Sequence, residues 1–320
     1  MKTQRRKILL ILITFAMVIN SYTLAFAEEN QPEKQMEIVF TNLAKHGGYD
    51  AMQGGCTDGK YAYYAMNRHQ NDKSIIIKVR LSDWTIVKKS KSIKAHLNSL
   101  TYNPKTNRIV GTKGTGKKLI IINPRTLSMS TKTVSIPKKL SGATKKQRNK
   151  ISAFTAIAFD SNRNRYIAVT KKNYDFVILN SRFKPIKYAK RSYGKIDTSQ
   201  DIYIDGDRLM CCFSKKFGLK SNYSKSNDFN YIRYYDVKSL KYINSKKLPD
   251  GHELENIIKV NNIWYAGFYY PYYKFKSGNN WVKRNLIFYK KSKKYYERYY
   301  NTTTKKSYWT NPVYRINMTL

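Results

Sequence analysis

TAIAFDSNRNRYIAVT, residues 155–170, consists of an apolar strand, a polar turn at Asp160-Ser161 and a second apolar strand. The same plan recurs in four other segments: QGGCTDGKYAYYA (53–65), NSLTYNPKTNRIVGT (98–112), QDIYIDGDRLMCCFS (200–214) and ENIIKVNNIWYAGF (255–268). Their turns contain Asp-Gly, Asn-Pro or Asn-Asn, residue types that favour tight turns between antiparallel strands. Each of the five segments is therefore predicted to be a β-hairpin.

The hairpins recur with a regular period. They start at residues 53, 98, 155, 200 and 255, so the spacing is 45 to 57 residues, close to the period of about 40–50 residues that propeller blades show. A third apolar strand follows each hairpin, at 75–79, 119–122, 176–179, 231–235 and 286–289, and a turn with a more polar fourth strand comes next. Four-stranded units of this kind bury their faces by stacking around an axis. The sequence predicts an all-β fold, a five-bladed β-propeller of four-stranded blades.

The ends of the chain suggest how the ring closes. EIVFTNLA, residues 37–44, resembles the outer strand TIVKKSKSI at 85–93 that precedes the second hairpin. We expect this N-terminal strand to join the last blade and close the propeller. Residues 28–320 are then a single β-propeller domain, with a C-terminal extension after about residue 301.

The N-terminus has the features of an export signal. Four basic residues among the first seven precede an apolar run at 8–19, and Ala25-Phe26-Ala27 provides a small-x-small cleavage site. Residues 1–27 are therefore predicted to be a signal peptide, and the protein to be secreted and associated with the cell surface. The alternative is an uncleaved anchor, although the run is shorter than the roughly 20 residues of a membrane span.

Charge and composition restrict the partner. The chain has 61 Lys and Arg against 20 Asp and Glu, yet 41% hydrophobic and 14% aromatic residues exclude a disordered polycation. Loss of residues 1–27 removes four basic and no acidic residues, which leaves a net charge of about +37. We expect an anionic polysaccharide or cell-envelope polymer as partner, with peripheral contact to an anionic membrane surface. A generic lysine-rich surface is the alternative, and no nucleic-acid-binding module is visible, so no specific nucleic acid is expected.

The opening of the first repeat carries a family resemblance. QGGCTDGKY, residues 53–61, is similar to the blade opening of teichoic-acid-biosynthesis-protein-C-like five-bladed propellers, which occur in surface and phage receptor-binding proteins of Gram-positive bacteria. The repeat skeleton over most of residues 37–300 shares this resemblance. It implies binding of a glycan or cell-envelope component, by analogy of fold.

The connectors between blades supply the candidate site. The first residues of the hairpins should ring the axial opening on one face: Gln53, Asn98, Thr155, Gln200 and Glu255. The histidines fall on connectors of the same face, His46 among the ligand-binding candidates and His69 in a loop of the first blade. Candidates for acid/base catalysis are His96, His252, Glu253, Glu255 and Asp201, because imidazole and carboxyl groups exchange protons near neutral pH. The alternative is a water-filled polar opening without chemistry.

No cofactor and no metal site are expected. HxxxH, HExxH and CxxC spacings are absent from the sequence. GTKGTGKK, residues 111–118, imitates a phosphate-binding loop, but a lysine stands at the position of the magnesium-binding hydroxyl and a strand follows. We interpret it as a hairpin loop.

An aromatic segment should overhang the opening from the fifth blade. YYPYYKFKSGNNW, residues 269–281, combines sugar-stacking side chains with two lysines, and its candidate ligand-binding residues are Tyr270, Tyr272, Trp281, Lys274 and Lys276. A loop packed on its neighbour is the alternative. The basic insertion at 137–150 adds a cationic protrusion.

Three functions remain open at this point. The first is a non-catalytic, secreted, cationic propeller that binds an anionic glycan or cell-envelope polymer. The second is a carbohydrate-active enzyme, a hydrolase or lyase, with an acid/base site at the opening; hydrolysis requires two carboxyl groups about 5–9.5 Å apart. The third is a scaffold, for which side chains should plug the opening.

Overall fold

A computed structural model describes residues 36–41, 49, 51–68, 72–192, 198–214, 230–248, 253–269, 281–289, 294–301, 306–309, 312–316 and 318. The predicted signal peptide, residues 1–27, lies outside these ranges. By packing, the chain divides into Met1–Glu37, of which Met36 and Glu37 are described, and Ile38–Leu320. Within the described ranges, no helix has the length and apolar character needed to cross a membrane.

The predicted five-bladed β-propeller is confirmed. Blade 1 contains β2 (Ala51–Thr57), β3 (Tyr61–Arg68), β4 (Lys73–Arg80) and β5 (Thr85–Lys89), and the short β6 (Ile93–Lys94) also pairs with β4. Blade 2 contains β7 (Ser99–Asn103), β8 (Arg108–Thr112), β9 (Lys118–Ile122) and β10 (Met129–Thr133). Blade 3 contains β11 (Phe154–Asp160), β12 (Arg165–Thr170), β13 (Phe176–Asn180) and β14 (Pro185–Ala189), and blade 4 contains β15 (Thr198–Asp205), β16 (Arg208–Ser214), β17 (Asn230–Asp236) and β18 (Tyr242–Leu248).

Blade 5 joins the two ends of the chain. Its inner hairpin is β19 (Glu253–Val260) and β20 (Ile263–Tyr269), its third strand is β24 (Pro312–Ile316), and its outer strand is β1 (Met36–Thr41). The N-terminal strand thus enters the last blade, as the sequence predicts. The inner strands contact one another in the order β2, β7, β11, β15, β19 and back to β2, which closes the ring.

The predicted third strand of blade 5 is wrong. Residues 286–289 belong to β21 (Trp281–Tyr289), which pairs with β22 (Lys294–Asn301) in a three-stranded sheet that also contains β23 (Lys306–Trp309). The place beside β20 is taken by β24, with Ala266 opposite Tyr314 and Gly267 opposite Val313. A strand from the segment assigned to a C-terminal extension therefore completes the blade.

Side chains of the predicted turn residues hold the hairpins. The Asp58 carboxylate accepts the backbone N–H groups of Lys60 and Tyr61 at 3.0 and 2.8 Å, and the Asn103 amide oxygen accepts those of Lys105 and Thr106. These bonds satisfy backbone donors that the turn removes from the strand ladder. GTKGTGKK is a hairpin loop, because β8 and β9 on its two sides pair antiparallel.

The hydrophobic core lies between the blades. All seven residues of the inner strand β11 are buried, whereas four of the five residues of the outer strand β10 are exposed. Each buried Ile, Leu or Phe side chain contributes about 1.5–3 kcal/mol to folding. Clusters of buried residues span neighbouring blades, and they include Tyr63 with Leu100 (blades 1 and 2), Leu119 with Phe154 (2 and 3), Phe176 with Tyr235 (3 and 4), and Tyr64 with Ile258 (5 and 1). Tyr203 and Trp264 meet edge to face between blades 4 and 5.

Candidate functional site

One cavity of about 590 Å³ lies on the propeller axis. All five residues predicted to ring the opening line it: Gln53, Asn98, Thr155, Gln200 and Glu255. Glu255 is also a catalytic candidate, and two further candidates of that kind, His96 and Glu253, line the cavity as well. We call it the axial cavity.

β-bulges direct these side chains toward the axis. The pairing of inner and second strands shifts between Met52 and Gly55 in blade 1, and between Phe154 and Ala156 in blade 3. Equivalent shifts surround Gln200 in blade 4 and Glu255 in blade 5. A bulged residue leaves the ladder and its side chain takes a new direction. Four of the five ring residues therefore reach the cavity from an irregular point of their strand.

Hydrogen bonds connect cavity residues of adjacent blades. The His96 Nε2 atom lies 3.2 Å from Gln53 Oε1, and Gln53 Nε2 donates to the Met52 carbonyl at 2.8 Å. On the other side, Gln200 Nε2 donates to Glu253 Oε1 at 2.7 Å. These bonds hold amide, imidazole and carboxylate groups in fixed positions along the wall.

The surroundings of His96 lower the pKa of its imidazole and so favour the neutral form. Burial lowers its pKa below the ordinary value, and the positive charge of Lys171 lowers it further. Asp72 and the hydrogen bond to Asn98 act in the opposite direction. At neutral pH the imidazole is therefore uncharged and offers one donor and one acceptor nitrogen.

The cavity wall contains both signs of charge and two aromatic rings. Lys94, Lys113 and Lys171 line it together with Asp72, Glu253 and Glu255, and Tyr174 and Tyr269 add ring surface. Lys171 Nζ also donates to the Gly114 carbonyl at 3.1 Å. The three lysines, Asp72 and Tyr174 are not among the site residues predicted from the sequence. Asp72, Lys113 and Tyr174 lie in loops between second and third strands, a position that the blade pattern assigns to this face.

Asp201 does not belong to the axial cavity. Its buried carboxyl points between the inner strands, where Oδ2 accepts the Gly55 N–H at 2.9 Å and Oδ1 accepts the Ile202 N–H at 2.8 Å and the Ser99 hydroxyl. Burial raises its pKa to about 8, against the effect of these hydrogen bonds. Asp201 is therefore not brought together with His96 and Glu253, because the strand is irregular between Ser199 and Ile202 and directs Gln200 to the cavity and its neighbour into the packed centre.

The remaining candidates lie outside the described residues. They are His46, His252, Tyr270, Tyr272, Lys274 and Lys276, and His69 lies outside as well. Trp281 is described only as the first residue of β21. Among the described residues, no group of three or more His, Cys, Asp or Glu is arranged to hold a metal ion.

No protein-family model and no curated protein matches this chain. Among solved structures, it is similar to the β-propeller domain of Cps50 (Swd1) from Myceliophteria thermophila, with 12% identity, a TM-score of 0.44, and coverage of 88% of this chain and 100% of that one. A putative 6-phosphogluconolactonase from Bacteroides uniformis has 12% identity, a TM-score of 0.42, and coverage of 82% and 71%. Hydrazine synthase from Kuenenia stuttgartiensis has 9% identity, a TM-score of 0.40, and coverage of 84% and 69%. Likenesses this distant carry no functional argument.

Proposed function

We propose that this protein is an exported, cationic β-propeller that binds an anionic glycan or cell-envelope polymer in the axial cavity. The observation that carries the proposal is the convergence of polar side chains from all five blades on one open cavity. Ligand sites of this kind are concave and contain a few well-positioned polar groups.

The chemistry of the wall fits a charged sugar or polyol unit. Gln53, Asn98 and Gln200 provide amides for hydroxyl groups, and Tyr174 and Tyr269 provide ring surface for stacking. Lys94 and Lys113 attract an anionic substituent. The resemblance of residues 53–61 to teichoic-acid-biosynthesis-protein-C-like propellers supports an envelope polymer as the source of such units.

Binding of wall polymer to the exported form at two salt concentrations tests the proposal. We expect affinity to fall as salt rises, because screening weakens the lysine contacts. Asn98→Ala with Gln200→Ala should weaken binding about tenfold by removing two hydrogen-bonding groups, whereas Thr131→Ala, on the outer strand of blade 2, should not. Equal affinity of all variants for the polymer would rule out the axial cavity as the site.

The aromatic segment is tested by its own variants. Tyr270→Ala with Trp281→Ala should weaken binding further if these side chains stack on sugar rings, by about 1–3 kcal/mol per stacked group. No loss of affinity in this variant, with a loss in the Asn98 and Gln200 variant, would restrict the site to the axial cavity.

A carbohydrate-active enzyme is the second candidate. Glu253, Glu255 and His96 all line the cavity, so carboxyl and imidazole groups share one space. Incubation of wall polymer with wild type, Glu253→Gln and Glu255→Gln tests it. Release of new chain ends by wild type, and its loss in either variant, would favour the enzyme over the binding protein; polymer that stays intact with wild type would exclude it.

A further inference from the structure

A second cavity, of about 550 Å³, lies between the basic insertion and the outer part of blade 3. Its lining includes Lys146, Gln147, Lys150, Tyr188, Lys190 and Arg191, and it shares no lining residue with the axial cavity. We call it the insertion groove. It is absent from the sequence-based site predictions, which treated the insertion only as a cationic protrusion.

Backbone contacts hold the insertion, residues 137–150, against blade 3, and these contacts fix the two sides of the groove relative to each other. The Tyr188 N–H donates to the Ser141 carbonyl at 2.8 Å, and Ser141 forms an isolated parallel bridge with Lys187. Gly142 has a φ of +75°, and a Cβ at this position would lie 2.3 Å from the Tyr188 carbonyl oxygen. Only glycine permits this close approach.

A short helix forms the outer wall. Helix α1 (Lys145–Lys150) starts at Thr144, whose hydroxyl accepts the Gln147 N–H while the Gln147 side chain accepts the Thr144 N–H. This capping box satisfies both donors and fixes the first turn. It holds Lys146 and Lys150 on the groove side of the insertion.

The groove is positively charged, and both oxygens of its one carboxylate, Asp175, already accept hydrogen bonds. Asp175 accepts the Tyr188 hydroxyl on Oδ2 and the Arg191 backbone N–H at 3.0 Å on Oδ1. No ion pair joins Lys146, Lys150, Lys190 or Arg191 to a carboxylate among the described residues. Four cationic residues therefore line the groove with one carboxylate that is already hydrogen-bonded, and this excess of positive charge attracts anions.

The Arg191 guanidinium adds a specific feature. It lies near the rings of Tyr174 and Phe213, with its central carbon 5.6 and 5.9 Å from the ring centres. Its Nε and Nη1 atoms are buried and have no acceptor among the described residues. Buried donors of this kind usually have a partner, and a guanidinium fork matches two oxygens of one anion.

We propose that the insertion groove binds phosphate or sulfate ester groups of a linear polyanion, as a site separate from the axial cavity. Charge balance favours a polyanion, because the groove carries a net charge of about +3 and one singly charged group leaves most of it unmatched. A chain with a tetrahedral anion on successive units supplies several charges within the groove. The insertion groove would be a second contact surface for a polyanion, and the proposal does not require that the axial cavity binds one.

Direct titration with three chains of equal charge tests the proposal: a glycerol-phosphate oligomer, a heparin-derived oligosaccharide and an oligogalacturonate. The groove variant is Lys146→Ala with Lys150→Ala and Lys190→Ala. The matched control is Lys105→Ala with Lys132→Ala and Lys184→Ala, exposed lysines that line neither cavity and remove the same charge.

We expect the groove variant to bind the phosphate or the sulfate chain about tenfold more weakly at low salt, and the control to stay within about threefold of wild type. Which of the two chains responds identifies the ester. Equal loss in both triple variants, or equal loss for the oligogalacturonate, overturns the proposal. If the triple lysine variant loses the same fold of affinity in the Asn98→Ala, Gln200→Ala background, the insertion groove binds independently of the axial cavity. If the triple lysine variant binds like wild type, the groove proposal is refuted and the proposed function of the axial cavity is not affected.

Discussion

The Asp201 carboxyl on the inner strand of blade 4 accepts a 2.9 Å hydrogen bond from the backbone N–H of Gly55 in blade 1, 146 residues earlier in the chain. Its other oxygen accepts the Ser99 hydroxyl of blade 2, and Ser99 Oγ in turn accepts the Ile157 N–H of blade 3 at 2.9 Å. Asn256 of blade 5 donates to the Gln53 carbonyl. Polar side chains thus connect all five blades at the centre of the ring, beneath the axial cavity.

Asp201→Ala should destabilise the fold strongly. The change leaves the buried N–H groups of Gly55 and Ile202 without their acceptor, at a cost of about 1–3 kcal/mol for each unsatisfied group. Asp201→Asn retains one carbonyl oxygen and should lose less stability. Urea unfolding of the three proteins measures the difference. An alanine variant as stable as wild type would contradict the assigned role.

The same carboxyl predicts a pH dependence of stability. Burial raises the pKa of Asp201 to about 8 in the fold, whereas an Asp in the unfolded chain has a pKa of about 3.9. Between these values the folded state holds a proton that the unfolded state has released, so rising pH favours unfolding by about 1.4 kcal/mol per pH unit. Below the lower value and above the upper one, this contribution no longer changes with pH.

Asp201→Asn isolates that contribution because the amide does not titrate. The free energy of unfolding of wild type, relative to this variant, should decrease by about 2–3 kcal/mol between pH 5.5 and 7.5. Denaturant titrations at both pH values measure it. A relative stability that stays constant or increases with pH would mean that the carboxyl is ionised in the fold.

Gly54 has a steric role in the contact of blades 1 and 2. A Cβ at this position would lie 2.4 Å from Ser99 Cα and 2.7 Å from the Leu100 nitrogen, both backbone atoms of the neighbouring inner strand. We expect Gly54→Ala to cost about 3 kcal/mol or more, because the two strands must separate.

Gly59→Ala is the matched control for this prediction. Gly59 has a φ of +90° and open space around it, so alanine there introduces only backbone strain of about 1–2 kcal/mol. Chemical unfolding of both variants separates the effects. A smaller loss for Gly54→Ala than for Gly59→Ala would refute the interpretation.

Local signals predicted most of the fold. Asp58-Gly59 and Asp205-Gly206 are typical of tight turns, and they predict the two hairpins that the structure shows. The fivefold recurrence of the strand–turn–strand pattern predicts the number of blades. The third strand of blade 5 was missed because β24 pairs with β20 across a long separation in sequence, and β21 has an equally apolar pattern closer by. Pairing partners that distant are not specified by local propensity.

The candidate site is also predictable only as far as local patterns of sequence specify it. Alternation along a strand places Gln53 and Glu255 on a given face, but the bulges next to them change that assignment, and no residue type marks them. Gln200 therefore lines the axial cavity, as the start of its hairpin predicts, whereas its neighbour Asp201 does not. The insertion groove depends on a contact of Ser141 with Tyr188, which lies in a separate segment of the chain.

The role of β24 leads to a truncation experiment. Removal of residues 312–320 takes away the strand that pairs with β20 and with β1, and with it the buried Val313 and Ile316. The exposed edge of β20 should cost the propeller its cooperative thermal transition. Removal of residues 319–320 leaves β24 intact and should retain the transition, as circular dichroism can show. A normal transition in the longer truncation would mean that the four other blades hold the ring without it.

His96 should report directly on an anion in the axial cavity. Burial and the nearby Lys171 lower its pKa, so in the free protein its titration midpoint should lie below the ordinary value of about 6.5. An anionic group beside it favours the charged imidazole and should raise the midpoint, and by linkage affinity should increase as pH falls through this range. Proton NMR of the imidazole, assigned with His96→Gln, measures both midpoints. A neutral polyol of the same size is the control and should leave the midpoint unchanged; an anionic polymer that also leaves it unchanged does not bind beside His96.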